Sequence, residues 1–282
     1  MEKLIQYCTK DSLYDGPFDK IVGWRAAGMG YILKTCDKKL IVIDGGNSND
    51  AKDLTDLILK TANDDRADID LWIVTHPHRD HYAALLEICK SPELYEKLCV
   101  KEVLYYFPDE FVNAKGDHAC KAPNEDMALI TQTLGALAHT PKLDEKIIID
   151  GIEIHFLYVP DDCSILNNAN QLSLIFTVQC QSSKIMITGD AFAKNLQIVV
   201  DRCKEDLKCD VLQMPHHGLC DTGLESFYRL VAAKTVLIPI SIAGDRTMRS
   251  DMYGNAPRVN RDAENYADKV YKAFEGTVEI EL

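Results

Sequence analysis

The chain has 282 residues, 46% of them hydrophobic and 27% charged, which is enough apolar material for a sizeable core. At the usual ~100–200 residues per domain it is read as one domain spanning 1–282. Thirty-one basic against forty-four acidic residues give a net charge of −13, opposite to the footprint of a nucleic-acid binder, so a small anionic substrate is admitted and a long polyanion disfavoured. No apolar run approaches the ~18 residues of a membrane span, and the first residues lack the apolar core of a signal peptide. The ten Cys form no C-x-x-C pair; Cys89, Cys99 and Cys180 sit in apolar stretches where free thiols pack as small hydrophobes. These features point to a cytoplasmic protein with no membrane partner.

Strands and helices alternate in two rounds. Met29 to Thr35 and Lys39 to Asp44 read as a hairpin, Asp50 to Thr61 as a helix through Leu54, Leu57 and Ile58, and Leu71 to Val74 as a buried strand. Tyr82 to Cys89 is helical, Val103 to Phe107 a strand, and a helix over Asn124 to Ala138 is stopped by Pro141. The second round starts with Lys146 to Asp150 and Ile152 to Val159 about Gly151. It continues through a hairpin of Leu172 to Val178 and Lys184 to Thr188, and a helix over Phe192 to Cys203. A strand Asp210 to Met214, a helix Gly223 to Ala232, a strand Thr235 to Ile240, a last helix Arg258 to Phe274 and a closing strand Thr277 to Leu282 complete it. Two similar batches suggest two sheets face to face, each covered outside by helices.

Thr75-His76-Pro77-His78-Arg79-Asp80-His81 carries the chemistry, because it sets three imidazoles and a carboxylate within six residues directly after the apolar run Leu71 to Val74. His76 and His78 are two apart and can share one direction, while Asp80 and His81 follow where the chain turns and can face a second ion. Imidazole and carboxylate suit zinc, manganese or iron. The same arrangement of an apolar strand followed by a metal-type ligand and glycine recurs at Asp44 before Gly45-Gly46, at Asp190 after Gly189, and at His216-His217 before Gly218. Asp190 alone also fits a turn or N-cap before the next helix, and Asp44 a loop cap. Two adjacent imidazoles between Pro and Gly are poor core material. One basic stretch, Arg246 and Arg249 with Arg258 and Arg261 beyond, either reaches the site to bind phosphate or carboxylate oxygens or is a solvated loop paired to Asp245 and Asp251.

Together these stretches resemble the metallo-β-lactamase superfamily, and most of all the hydrolase domain of the ComEC competence proteins and their free-standing relatives. The match runs in order through Ile43-Asp44-Gly45-Gly46, Thr75 to His81, Leu172 to Phe176, Ile187-Thr188-Gly189-Asp190 and Met214-Pro215-His216-His217-Gly218, with a looser one at Tyr253-Gly254-Asn255-Ala256-Pro257. The resemblance implies a mixed α/β, four-layer αββα sandwich with two divalent ions, Zn2+ or else Mn2+ or Fe2+, at one edge. His76 and His78 would hold the first ion, Asp80 and His81 the second, Asp190 would bridge, and His216 would close the second site. Many relatives supply a further first-site His shortly before the bridging Asp. The window from Pro160 to Asn170 has none, so Asp161, Asp162 or one of the Asn could substitute, or His217 could swing in. Tyr82 stands where relatives read Gly, as an added hydrogen-bond donor, and Asn255 where they carry His.

A hydroxide bridging two such ions is nucleophilic near neutral pH, since metal binding lowers water's pKa from 15.7 toward ~7. Asp80 or Asp190 would orient it, His217 or Tyr82 would donate a proton to the leaving group, and Asp44 would act behind the ligands by orienting an imidazole. Arg246, Arg249, Tyr253 and Asn255 would contact substrate. The expectation is a metallohydrolase acting on a small anionic phosphoester or phosphodiester. The alternatives are a carboxylic ester, thioester or lactone hydrolase on the same site, or a metal-binding or partner-binding protein whose incomplete site is inactive.

Overall fold

A computed structural model describes residues 1–16, 27–109, 122–161, 166, 168–219, 223–249, 260 and 264–282, with side chains omitted for 248 and 249. In chain order the first half contains β1 (Lys3–Gln6), β2 (Gly30–Lys34), β3 (Leu40–Asp44), α1 (Ala51–Ala62), β4 (Ala67–Ile73), α2 (Arg79–Lys90) and α3 (Pro92–Tyr95). It ends with β5 (Leu98–Val100), β6 (Glu102–Leu104), α4 (Pro123–Leu134) and β7 (Leu137–His139). The second half has β8 (Lys146–Ile149), β9 (Ile152–Tyr158), β10 (Ile175–Gln179), β11 (Lys184–Ile187), α5 (Ala193–Cys203), β12 (Val211–Gln213) and α6 (Glu225–Val231). β13 (Thr235–Ile238), α7 (Ile242–Arg249), β14 (Lys269–Lys272) and β15 (Val278–Glu281) follow. None of the described helices is long and apolar enough to cross a membrane.

Two mixed sheets result. One runs β15-β1-β2-β3-β4-β6-β7, with β5 also on β4, and the other runs β14-β13-β12-β11-β10-β9-β8. Each begins with antiparallel hairpins and continues as parallel strands: β3 with β4 in the first, β11 with β12 and β12 with β13 in the second. Apolar residues on both faces of a strand require cover on both sides. Ile41, Ile43, Leu71 and Ile73 therefore meet Ile154, Phe156, Phe176 and Ile187 between the sheets. Val42 and Trp72 pack outward with Leu54, Ile58, Leu85 and Ile88 of α1 and α2, and Met186 and Leu212 with Leu196, Val199, Phe227 and Val231 of α5 and α6. Helix spacing is what makes this possible: Leu54, Thr55 and Ile58 bury one stripe of α1, which ends at Asn63 in the left-handed conformation. The layers are helix, sheet, sheet, helix, the expected sandwich.

Several elements differ from the sequence expectation. The helix expected over Arg258 to Phe274 is replaced, where the structure describes it, by a 3-10 turn at Glu264–Tyr266 and by strand β14, which pairs in parallel with β13. The helix expected to reach Ala138 stops at Leu134, because Gly135 takes φ 62 and turns the chain into β7. Residues 242–249 form α7 rather than a loop. α2 begins at Arg79, so Asp80 and His81 stand on its first turn instead of in a preceding loop. A carboxylate there is also favoured by the helix dipole.

Candidate metal centre

The ligand-type side chains lie beyond the C-terminal ends of parallel strands, where open α/β sheets place their binding sites. Asp44 closes β3, His76 to His81 follow β4, Asp190 follows β11, and His216 and His217 follow β12. Loop-to-loop hydrogen bonds bring the two sheets' ends together. Leu174 N–H donates to the Thr75 carbonyl at 3.0 Å, Asp190 N–H to Ser173 Oγ at 2.9 Å, and His216 N–H to the Gly189 carbonyl at 3.1 Å. Gly189, at φ +52, is where they touch, and a Cβ there would lie 3.0 Å from Ser173 Oγ and 3.1 Å from Thr75 Cβ. Only glycine fits both that backbone and that gap.

Two donor sets share one carboxylate: His76, His78 and Asp190, and Asp80, His81, Asp190 and His217. Asp190 Oδ2 lies 3.6 Å from His76 Nε2, 3.3 Å from His81 Nε2 and 3.4 Å from His217 Nε2, and Asp80 Oδ2 lies 3.4 Å from His217 Nε2. The rings are aimed by their far nitrogens. Asp44, fully buried, receives Thr75 N–H at 2.8 Å and the Thr75 hydroxyl at 2.8 Å, and its Oδ2 holds His81 Nδ1 at 2.8 Å. His217 Nδ1–H donates to the Pro239 carbonyl at 2.6 Å. With Nδ1 protonated on both rings, Nε2 of each points into the site as a lone pair, the arrangement that orients ligand imidazoles.

The donors fit divalent ions. His76 Nε2, His81 Nε2, His217 Nε2 and Asp190 Oδ1 are buried with no hydrogen-bond partner, a state that costs ~1–3 kcal/mol per group if nothing satisfies it. The nitrogen and oxygen donor chemistry suits zinc, iron or manganese. The field favours positive charge at the same place. Burial opposes ionised Asp190, yet the His217, His81 and His76 imidazoles hold its carboxyl well below the usual range. Burial likewise opposes a charged His217, but Asp190 and Asp80 push its imidazole up to about 10, and Asp190, Asp44 and Asp80 raise His81. A cation between these carboxylates takes over the role of those protons.

Three expectations are corrected. His217, not His216, joins the second donor set. The Pro239 carbonyl points its Nε2 at Asp80 and Asp190, whereas His216 Nε2 is 4.0 Å from Asp190 and receives the Asn170 amide at 3.1 Å. Tyr82 is not a pocket donor: it is fully buried on α2 and donates its hydroxyl to Asp126 at 2.9 Å. Arg246 neither pairs with Asp245 nor reaches the donor sets; its guanidinium bonds the Asp15 carboxylate and the Asp15 and Gly16 carbonyls, while Asp245 pairs with Lys272 at 2.7 Å. Asp161 is exposed and Asn168 caps the turn before Asn170, so neither of these two replaces the first set's missing His. Asp162, Tyr253 and Asn255, and the side chain of Arg249, lie outside the described residues.

Three positions behind the ligands escaped the sequence reading. Thr75 bonds Asp44 and lies 3.2 Å from His76 Nδ1, Ser173 holds the Asp190 backbone, and buried Gln213 receives Thr188 N–H and donates to the Gly189 carbonyl. Asn170, one of the Asn in the window expected to supply a substitute ligand, faces His216. The available signal was a polar residue interrupting an apolar strand, as Gln213 does in Val211-Leu212-Gln213-Met214. Replacing Asp44 with Asn should weaken metal affinity about 10–100-fold, since the amide cannot both accept from Thr75 and hold His81 Nδ1–H as a carboxylate does. Metal titration of the folded variant measures this.

Residues 29–151 match the family model described as the metallo-beta-lactamase superfamily. No curated protein matches the sequence. Among solved structures the chain is similar to Zn2+-bound PqqB from Methylobacterium extorquens, at 10% identity and TM-score 0.59, covering 100% of both chains. It is also similar to a diphosphatase from the PhnP family, at 15% identity and TM-score 0.50, covering 100% of this chain and 98% of that one. A third similarity is to CmlA, a diiron beta-hydroxylase from Streptomyces venezuelae, at 10% identity and TM-score 0.53, covering 99% of this chain and 54% of that one. At these identities the similarity shows the fold alone. The chain has the metallo-β-lactamase fold. The superfamily includes metal-dependent hydrolases of this fold.

Proposed function

We propose that the protein is a dinuclear metal-dependent hydrolase acting on a small anionic phosphoester or phosphodiester, of the ComEC-like type its motifs resemble. The observation that carries the reading is one carboxylate, Asp190, shared by two donor sets. In this reading His76 and His78 would hold the first ion and Asp80, His81 and His217 the second, with Asp190 shared by both sets. Divalent ions held there would supply a water whose pKa is lowered toward ~7 and would polarise the oxygen of the scissile group. Asp80 is positioned to orient the attacking water, since its side chain is 20% exposed against 3% for Asp190. Asp44 and the Pro239 carbonyl keep His81 and His217 in the ligating tautomer.

Arg249, Tyr253 and Asn255 are the proposed contacts to the substrate's anionic group. The commitment of Arg246 to Asp15 favours the second reading, an uncharged ester, thioester or lactone, because it removes one cation from substrate binding. Parallel assays with chromogenic phosphodiester and carboxylic ester substrates separate the two, and the phosphodiester is expected to turn over faster. Arg249→Ala should raise KM for the anionic substrate roughly tenfold or more and leave the neutral one unchanged. Arg246→Ala should have little effect, as an exposed pair contributes ~0–1 kcal/mol. Faster ester turnover and unchanged KM in Arg249→Ala would favour the second reading.

A further inference from the structure

The backbone ladder between β11 and β12 stops short of the donor sets. The two strands pair in parallel at Ile185 with Val211 and at Met186 with Leu212, and the pairing ends there. Beyond it the first strand runs through Thr188 and Gly189 to Asp190, and the second through Gln213 to the turn Pro215-His216-His217-Gly218. In that turn His216 at φ 48 and His217 at φ 55 both hold left-handed backbone, which is costly outside glycine and is retained where the surroundings demand it. Asp190 and His217 thus stand on two separate loops, yet Asp190 Oδ2 meets His217 Nε2 at 3.4 Å.

The Gln213 side chain joins the two loops. It is fully buried at the end of the strand Val211-Leu212-Gln213, where an amide is tolerated only if its donors and acceptor are used. Its Oε1 accepts Thr188 N–H at 2.8 Å, and its Nε2 donates to the Gly189 carbonyl at 3.0 Å and to the Met214 carbonyl at 2.6 Å. The Thr188 hydroxyl lies 3.0 Å from Gln213 Oε1 and 3.0 Å from the Gln213 carbonyl. A side-chain amide carries the same kinds of donor and acceptor as a peptide group, so Gln213 continues the ladder where the backbone pairing has ended. Thr188 and Gly189 immediately precede Asp190, and Met214 leads into the histidine turn. The Gly189 carbonyl also accepts His216 N–H at 3.1 Å, so the clamp reaches that turn as well. These bonds are made to backbone and to Thr188, so they act on the site by placing its loops.

We propose that Gln213 is a positioning residue: its amide fixes the loop carrying Asp190 against the loop carrying His217 and thereby builds the second donor set. This rests on the two-ion reading and has a selective consequence. The set of Asp80, His81, Asp190 and His217 draws a donor from each clamped loop, whereas the set of His76, His78 and Asp190 draws from one of them. The test is calorimetric titration of the metal-free protein with Zn2+ in wild type, Gln213→Met, Gln213→Glu, Thr188→Val and His217→Ala. The methionine keeps the volume and loses the amide, and the glutamate sets an acceptor against the Gly189 and Met214 carbonyls. Both are expected to weaken one binding step about 10–100-fold, the range for partners behind a ligand, and the other step by less. The weakened step should be the one that His217→Ala removes, and Thr188→Val, which loses one hydroxyl, should move it in the same direction by less. A residue that only packs would lower the melting temperature of the metal-free protein and leave the ratio of the two affinities at its wild-type value. That unchanged ratio in folded Gln213→Met would overturn the proposal, as it would in Thr188→Val if neither Gln213 variant folds. Failure of the two-ion reading shows separately, as fewer than two ions in wild type. The role of Gln213 is then decided by whether Gln213→Met weakens the ion that remains.

Discussion

Asp190→Ala should bind fewer than two divalent ions and lose at least about a hundredfold in turnover. Three other ligand-type side chains face that carboxylate: His76, His81 and His217 all place Nε2 within 3.6 Å of its Oδ2. The apo protein should itself lose some stability, because the buried His217, His81 and His76 imidazoles lose the carboxylate they face. What also disappears is stabilisation by metal. At 100 times Kd a bound ion contributes ~2.7 kcal/mol, about 5–10 °C in Tm for a chain of this size. Thermal melts with and without metal read both effects. A variant that still gains the wild-type shift with metal would contradict the assignment.

Asp80→Ala should abolish hydrolysis in a folded protein. The side chain stands on the first turn of α2 and is partly exposed, so it contributes little packing, while its Oδ2 faces His217 Nε2 at 3.4 Å and His81 Nε2 at 3.9 Å. Burial alone would raise its carboxyl, but the His81 and His217 imidazoles hold it below the ordinary carboxylate range, so it is ionised throughout the neutral region. Removing it takes away both a ligand of the second ion and the charge that orients the attacking water. Circular dichroism unchanged from wild type, with turnover down at least about a hundredfold, is the expected pair of results. Wild-type turnover in a metal-loaded variant would remove Asp80 from the mechanism.

The strands that carry the ligands were legible because Ile41 to Ile43, Leu71 to Val74 and Ile185 to Ile187 are apolar on both faces and lead into an Asp or His, with glycine beside Asp44 and Asp190. What failed depended on partners distant in sequence. Tyr266, Val270 and Phe274 have helical spacing, yet Lys269–Lys272 pairs with Thr235–Ile238, and the largely buried Lys272 ammonium is satisfied by Asp245. Arg246 stood out as a rare cation in an acidic chain, but its partner Asp15 lies 231 residues away. The order of His216 and His217 was not legible either. Adjacent residues have no fixed division of roles until the left-handed turn and the Pro239 carbonyl decide which ring faces Asp190.

The central claim is a pair of ions about Asp190, and anomalous diffraction from crystals of metal-supplemented protein tests it most directly. The account predicts two peaks about 3.5–4 Å apart, with Asp190 between them, one bound by His76 and His78 and the other by Asp80, His81 and His217. A single peak, or ions bound away from Asp190, would contradict it.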